Sequence, residues 1–326
     1  MKDRPLVSII INNFNYANFL TEAIESALKQ DYKNVEVILV DDGSTDGSRQ
    51  IIESYGDRLI SVFKENGGQA SAFNAGFAVS KGEIICFLDS DDVFVPEKSE
   101  RIVQIFEDSP DVDWCFHAVT LVDKNTGRFL GVSEERGTRE CDFRSAMKQG
   151  RLSFLAPPTS GLCFRRSLMK QILPMTENLR RGADRYLVAI APALSKGIYL
   201  DRSLTIQGIH QDNGNTLQEG EKYAKRRAYK ALTVAYFMRL KLPEFYKITD
   251  RIFARGLGIY LDLALKTGYR SSQEEEIIAK YLSFNNIPNI TKICCMALYQ
   301  IRPWKKNNSL VQYEKKSETA KAAKAL

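Results

Sequence analysis

A chain of 326 residues exceeds what one ordinary core holds, so one large domain with an appendage is expected, and 44% hydrophobic residues supply a real core. No run of about 20 apolar residues occurs, so no membrane span is predicted, and Met1-Lys2-Asp3-Arg4 lacks the apolar stretch of a secretory signal. The net charge of +6 is uneven, with 25 Lys+Arg against 30 Asp+Glu in residues 1–214 and 21 against 10 in residues 215–326, so the basic rear suits an anionic partner or a solvated helical face.

Pro5 to Ile11 reads as a first strand, ending in Asn12-Asn13-Phe14-Asn15-Tyr16, a turn type that Asn tolerates. Leu20, Ile24, Ala27 and Leu28 recur at helical spacing, and Val35 to Val40 forms a second apolar strand. This β-α-β order predicts parallel strands. The second strand runs into Asp41-Asp42-Gly43-Ser44-Thr45-Asp46, where Thr45 and Asp46 read as helix caps and Asp42, at the mouth of the sheet, as a ligand-binding carboxylate. Leu59 to Phe63 is a third strand, followed by Gly67-Gly68-Gln69 and a helix marked by Ala70, Phe73 and Phe77.

Glu83 to Leu88 is a fourth strand, apolar enough to be buried on both faces, and Asp89-Ser90-Asp91-Asp92 follows at once. Acids at the carboxyl end of such a strand sit where open α/β sheets bind ligands, and the Asp89-x-Asp91 spacing suits a hard divalent cation. The first turn has neither G-x-G-x-x-G nor a Walker A sequence, so a metal is the natural substitute for neutralising phosphate.

Asp113 to Val122 reads as one strand containing a packed His117, residues 131–151 as mobile loops around a short helix, and Pro157 to Ser167, with its Ser160-Gly161, as the entry to another strand and helix. Leu187, Ile190, Ala191 and Leu194 define a helix with Asp184 in its first turn, and Ser203 to His210 is a last strand before a polar loop at 211–215. Helical spacing then runs from Glu221, punctuated by Pro243 and Gly268. The segment from Ile290 through Trp304 and Lys306 suits either a membrane surface or a packed final helix, and 309–326 is expected to be disordered. Cys86, Cys115, Cys141, Cys163, Cys294 and Cys295 show no metal spacing and point to a reduced, cytoplasmic protein.

The blocks Val7 to Asn15, Val40 to Ser48, Gly67-Gly68-Gln69 with Asn74-Ala75-Gly76, and Phe87 to Asp92 occur in the order and spacing of family-2 glycosyltransferases, over roughly the first third of the chain. The resemblance implies a GT-A type α/β fold that takes a nucleoside-diphosphate sugar and inverts the anomeric centre with Mn²⁺ or Mg²⁺. It places Asn12 and Asp42 at the nucleoside, Asp89 near the ribose, Asp91 on the metal and the Gly68-Gln69 turn along the nucleotide pocket. Asp184 resembles the family's general base, with Ala183 in place of the commoner acid, and His210 resembles the histidine that reaches metal or diphosphate. The Ser160-Gly161 opening resembles an acceptor-side strand that lets substrate pass close to backbone.

These implications frame a cytoplasmic enzyme, peripheral to the inner face of a membrane through its basic rear, with a donor-binding half (1–110), an acceptor-binding half (111–215) and a helical region (216–308). The expected donor is UDP-linked, the acceptor a glycan or lipid-linked hydroxyl in cell-surface polysaccharide or glycolipid assembly, and no nucleic acid is involved. Two rivals share the fold. A nucleotidyltransferase making sugar nucleotides should carry a Gly-rich, basic first turn, which is missing here. A non-catalytic binding module should have lost Asp42, Asp89, Asp91 and Asp184, which are all present.

Overall fold

Apolar runs that continue through both faces become the central strands of a mixed sheet, because only a strand covered on both sides can bury every residue. They are β1 (Val7–Asn13), β2 (Val35–Asp41) and β4 (Ile84–Asp89), with β3 (Ile60–Phe63) beyond β2. The structure is a computed structural model that describes residues 4–133, 137–151, 157–210 and 220–300. Its described residues divide into two units, one holding 4–133, 137–142 and 157–210, the other 143–151 and 220–300.

In the first unit the large sheet runs β3-β2-β1-β4-β10-β6-β11-β9. Here β6 is Trp114–His117, β9 Arg139–Cys141, β10 Leu162–Arg165 and β11 Gly197–Leu200. The strands β1, β2, β3 and β4 pair in parallel, as the β-α-β order predicted, and β10 is antiparallel to both β4 and β6. From β1 the chain steps outward to β2 and β3 and returns to β4 on the other side of β1. That reversal opens a crevice at the carboxyl ends of β1 and β4, where Asn12 and Asp89 face each other in register. Helices α1 (Ala17–Leu28) and α4 (Lys98–Asp108) bury Leu20, Ile24, Ile102, Val103 and Phe106 against the core. Helix α3 (Gln69–Val79) lies so close to the sheet that a Cβ at Gly76 would meet Ile10 Cγ2 at 2.5 Å.

A second sheet has the order β5-β12-β7-β8, from Asp92–Phe94, Thr205–Ile209, Thr120–Asp123 and Phe129–Val132. The single strand expected over 113–122 is therefore two strands in two sheets. Ala118 and Val119 keep the run apolar through the crossover because both are buried. Their amides leave the ladder, Ala118 N–H donating to Leu200 O and Val119 N–H to Ser133 Oγ. The loops expected over 131–151 contain the edge strand β9 and the short helix α5 (Arg144–Lys148), with 134–136 outside the described residues. Strand β11 was not foreseen: it is only four residues long and follows the preceding helix after just Ser195 and Lys196.

The second unit is helical: α5 with α8 (Glu221–Lys241), α9 (Tyr246–Thr267), α10 (Ser272–Leu282) and α11 (Ile287–Gln300). Leu232, Phe253, Leu257, Tyr281 and Ile293 form its core. Phe253 and Tyr281 stack at 3.9 Å, and the Tyr281 hydroxyl donates to Asp250 Oδ1 at 2.8 Å, which satisfies the polar end of a fully buried ring. Gly268, at φ 68°, closes α9 in the left-handed conformation that glycine adopts freely. No helix among the described residues is long and apolar enough to cross a membrane.

Candidate active site

Four of the residues singled out by sequence meet at the β1/β4 crevice. Asn12 Nδ2 donates to Asp89 Oδ1 at 3.0 Å, and Asp91 Oδ2 lies 3.1 Å from Nε2 of His210, which follows β12. Carboxylate oxygens of Asp89, Asp91 and Asp92 all lie within 4.8 Å of one another. Burial, and then the charge of Asp91, push the Asp89 carboxyl up to about 7, with Asp184 adding to the effect. Phe19 stacks on the His210 ring at 4.3 Å and Tyr16 meets its edge at 5.8 Å, so two aromatics from the start of α1 fix that imidazole.

Hard oxygen donors crowded to the point of mutual repulsion suit Mg²⁺ or Mn²⁺, because a divalent cation removes the repulsion that otherwise retains a proton. Two buried acceptors at the same rim, Asn12 Oδ1 and Asp184 Oδ1, have no hydrogen-bond partner among the described residues. Unsatisfied buried acceptors are costly, which fits a crevice shaped for ligand groups and not for the protein alone.

Asp42 is less available than its position suggested. Its Oδ1 accepts from Lys64 Nζ at 2.8 Å and Gly67 N at 2.9 Å, and its Oδ2 from Gly68 N at 2.7 Å, so it fastens the 64–68 loop. Asp46 accepts from Ala17 N and Ser48 N and so ties the starts of α1 and α2 (Ser48–Ser54), whereas Thr45 caps nothing and donates its amide to Asn15 Oδ1. His117 is packed, as expected, with Nδ1 2.7 Å from Ala118 O.

Asp184 lies in the first turn of α7 (Ala183–Leu194), nearly buried, with Arg185 Nε 3.9 Å from its Oδ2. Gln69 begins α3 and reaches that turn: its Oε1 accepts from Ala183 N at 3.1 Å and its Nε2 donates to Thr159 Oγ1 at 3.3 Å. Gly68, at φ +87°, is where the 66–69 turn meets the segment leading into α7, for a Cβ there would lie 2.6 Å from Arg180 Cα and O.

The opening expected at Ser160-Gly161 is closed. Ser160 is fully buried, its hydroxyl donating to Asp92 Oδ2 and accepting from Asp89 N. A Cβ at Gly161 would lie 2.8 Å from His117 O, so that glycine serves packing against β6. Sequence reasoning also missed Lys98, whose fully buried ammonium donates to Ser160 O at 2.7 Å and Thr205 Oγ1 at 3.2 Å and lies over the Phe94 ring. A lysine at the start of an amphipathic helix carries no sequence signal for such a role. The polar loop expected at 211–215 lies outside the described residues.

An uncharacterised glycosyltransferase of Nostoc sp. is 34% identical over 275 residues, 82% of each chain. One of Rickettsia prowazekii is 49% identical over 110 residues, 33% of this chain and 35% of that one. Among solved structures, TarS of S. aureus superposes with a TM-score of 0.61 at 19% identity, over 91% of this chain and 54% of that one. Its 1–349 fragment in complex with UDP-GlcNAc gives 0.60 at 21%, over 91% and 84%. With the model of the family described as "Glycosyl transferase family 2" matching residues 8–172, the chain belongs to glycosyltransferase family 2.

Proposed function

We propose that this chain is a metal-dependent, inverting glycosyltransferase that moves a sugar from a UDP-linked donor to a hydroxyl of a glycan or lipid-linked acceptor, in cell-surface polysaccharide or glycolipid assembly. The observation that carries the reading is the pairing, within one unit, of a crowded acid cluster at the β1/β4 crevice with a nearly buried Asp184 that has an orphaned oxygen. UDP is the favoured nucleotide because the TarS fragment, alike in fold, has been seen with UDP and with UDP-GlcNAc.

In this reading Asn12, Asp42 and the Gly68-Gln69 backbone border the nucleoside, Asp89 meets the ribose, and Asp91 with His210 would hold Mn²⁺ or Mg²⁺. The bound ion supplies charge neutralisation for the departing diphosphate. Asp184 takes the proton of the acceptor hydroxyl as its oxygen attacks the anomeric carbon from the side opposite the leaving group. An inverting transfer needs only that one base, and Asp184 offers a buried oxygen that has no hydrogen-bond partner among the described residues.

Calorimetric titration with UDP, GDP and dTDP, each with and without Mn²⁺, tests the donor site. Mn²⁺-dependent binding of UDP is expected. A folded chain that binds none of the three refutes the reading and leaves the non-catalytic module in its place.

A further inference from the structure

We propose that Gln69 is a positioning residue for the transfer, a side chain that ties the donor-side turn to the helix carrying Asp184. This rests on the reading of Asp184 as the base. Helix α7 is capped by Gly182, at φ 90°, which has no side chain to satisfy the first amides. The first amides of a helix have no partner within it and need an acceptor from elsewhere. Gln69 supplies one from another segment, its Oε1 accepting from Ala183 N, the residue immediately before Asp184.

Further contacts join the same segments. The Gln69 amide donates to Arg180 O at 3.0 Å, and Arg180 Nη2 donates back to Asn66 Oδ1 at 2.7 Å. Gly68 lets the two segments meet at a distance no Cβ would allow. On its other side the turn is held by Asp42 through the Gly67 and Gly68 amides. Gln69 Nε2 meanwhile donates to Thr159 Oγ1 at 3.3 Å.

Among the described residues Asp184 Oδ1 has no hydrogen-bond partner to hold it, so the position of its carboxylate follows that of the helix turn. A donor that settles against the 66–69 turn is thereby registered against the base. A displacement of about 1 Å between reacting groups can cost roughly 100-fold in rate, which makes such a tie worth having.

The experiment compares the wild-type chain with Q69A and Q69E in three measurements: UDP binding with Mn²⁺, release of UDP from UDP-GlcNAc, and amide hydrogen exchange over residues 180–187. In Q69A, kcat is expected to fall about 10- to 100-fold, with the KM for UDP-GlcNAc and the affinity for UDP unchanged and exchange over 180–187 accelerated. Q69E keeps the oxygen that Ala183 N–H needs and should restore slow exchange and part of kcat. Unchanged exchange in Q69A overturns the proposal, as does a loss of UDP affinity that matches the loss of rate, which would make Gln69 a donor ligand. A wild-type chain that neither binds UDP nor releases it takes down the donor reading and this role together, whereas an active wild type with an equally active Q69A takes down this role alone.

Discussion

Replacing Asp184 with Asn separates catalysis from stability with little ambiguity. The substitution keeps the shape of the side chain. Its Oδ1 has no hydrogen-bond partner among the described residues, so none is lost there. Its Oδ2 is 3.9 Å from Arg185 Nε, and that arginine side chain is 47% exposed. An ion pair so open to solvent contributes under about 1 kcal/mol, which in a chain of this size shifts Tm by at most about 4 °C. Loss of a general base, by contrast, costs about 10²–10⁴-fold in kcat, or roughly 3–5 kcal/mol of barrier. Removing the charge should also ease ionisation of Asp89, which Asp184 hinders, so Mn²⁺-dependent UDP binding should hold or tighten. The assay is UDP release from UDP-GlcNAc beside calorimetric UDP binding and a thermal melt. Wild-type turnover by Asp184→Asn refutes the assignment, and a melt lowered by much more than a few degrees shows the carboxylate to be structural.

Three other perturbations follow from the same contacts. The Asp89 carboxyl is raised from 3.8 to about 7, so between those values the folded chain holds a proton that the unfolded chain has released. Metal-free stability should therefore fall as pH rises through that window and level off above it, and Mn²⁺ should raise Tm more at pH 8 than at pH 5; an equal shift at both pH values counts against a metal at these acids. Lys98→Met should cost about 2–4 kcal/mol in denaturant unfolding, since it strips a buried donor from Ser160 O and Thr205 Oγ1, and a loss under about 0.5 kcal/mol would show the ammonium to be dispensable. The helical unit exposes Leu265, Leu298 and Tyr299 at 78%, 58% and 68% in a basic part of the chain, so the full chain should sediment with anionic liposomes at low salt and be released at high salt; no sedimentation at low salt removes the membrane from the reading.

The legible parts of the fold were those in which one physical requirement dictates composition. Strands β1, β2 and β4 must be apolar on both faces, and the acids that stop two of them mark the carboxyl rim of the sheet. What stayed hidden depends on partners distant in sequence. Nothing local at Ala118-Val119 says that the chain changes sheet there, because the crossover is satisfied by Leu200 and Ser133. Ser160 looked like an opening to substrate because a Ser-Gly pair is small and polar, yet its hydroxyl is consumed 68 residues back at Asp92. The polar atoms of Gln69 likewise meet residues 90 and 114 positions away.

Three adjacent carboxylates do different work because the fold sorts them. Asp92 opens β5, where Ser160 donates to one of its oxygens and Gly208 N–H to the other at 3.2 Å. Burial and its two acidic neighbours push its carboxyl well up, and with both oxygens accepting hydrogen bonds it braces the turn. The same Ser160 accepts from the Asp89 amide and is itself held through its carbonyl by Lys98, which fixes the backbone of the acid turn. Strand β12 closes on that turn at Gly208, where a Cβ would lie 2.6 Å from Asp91 O and 2.3 Å from Lys124 Cε. Only glycine permits that approach. Because side chains alternate along a strand, the position two residues on returns to the same face, and there His210 meets Asp91. A single methyl at Gly208 would thus press on the Asp91 carbonyl and force β12 off the acid turn, and with it the imidazole of His210 away from the Asp91 carboxylate, so that contact depends on a residue with no side chain.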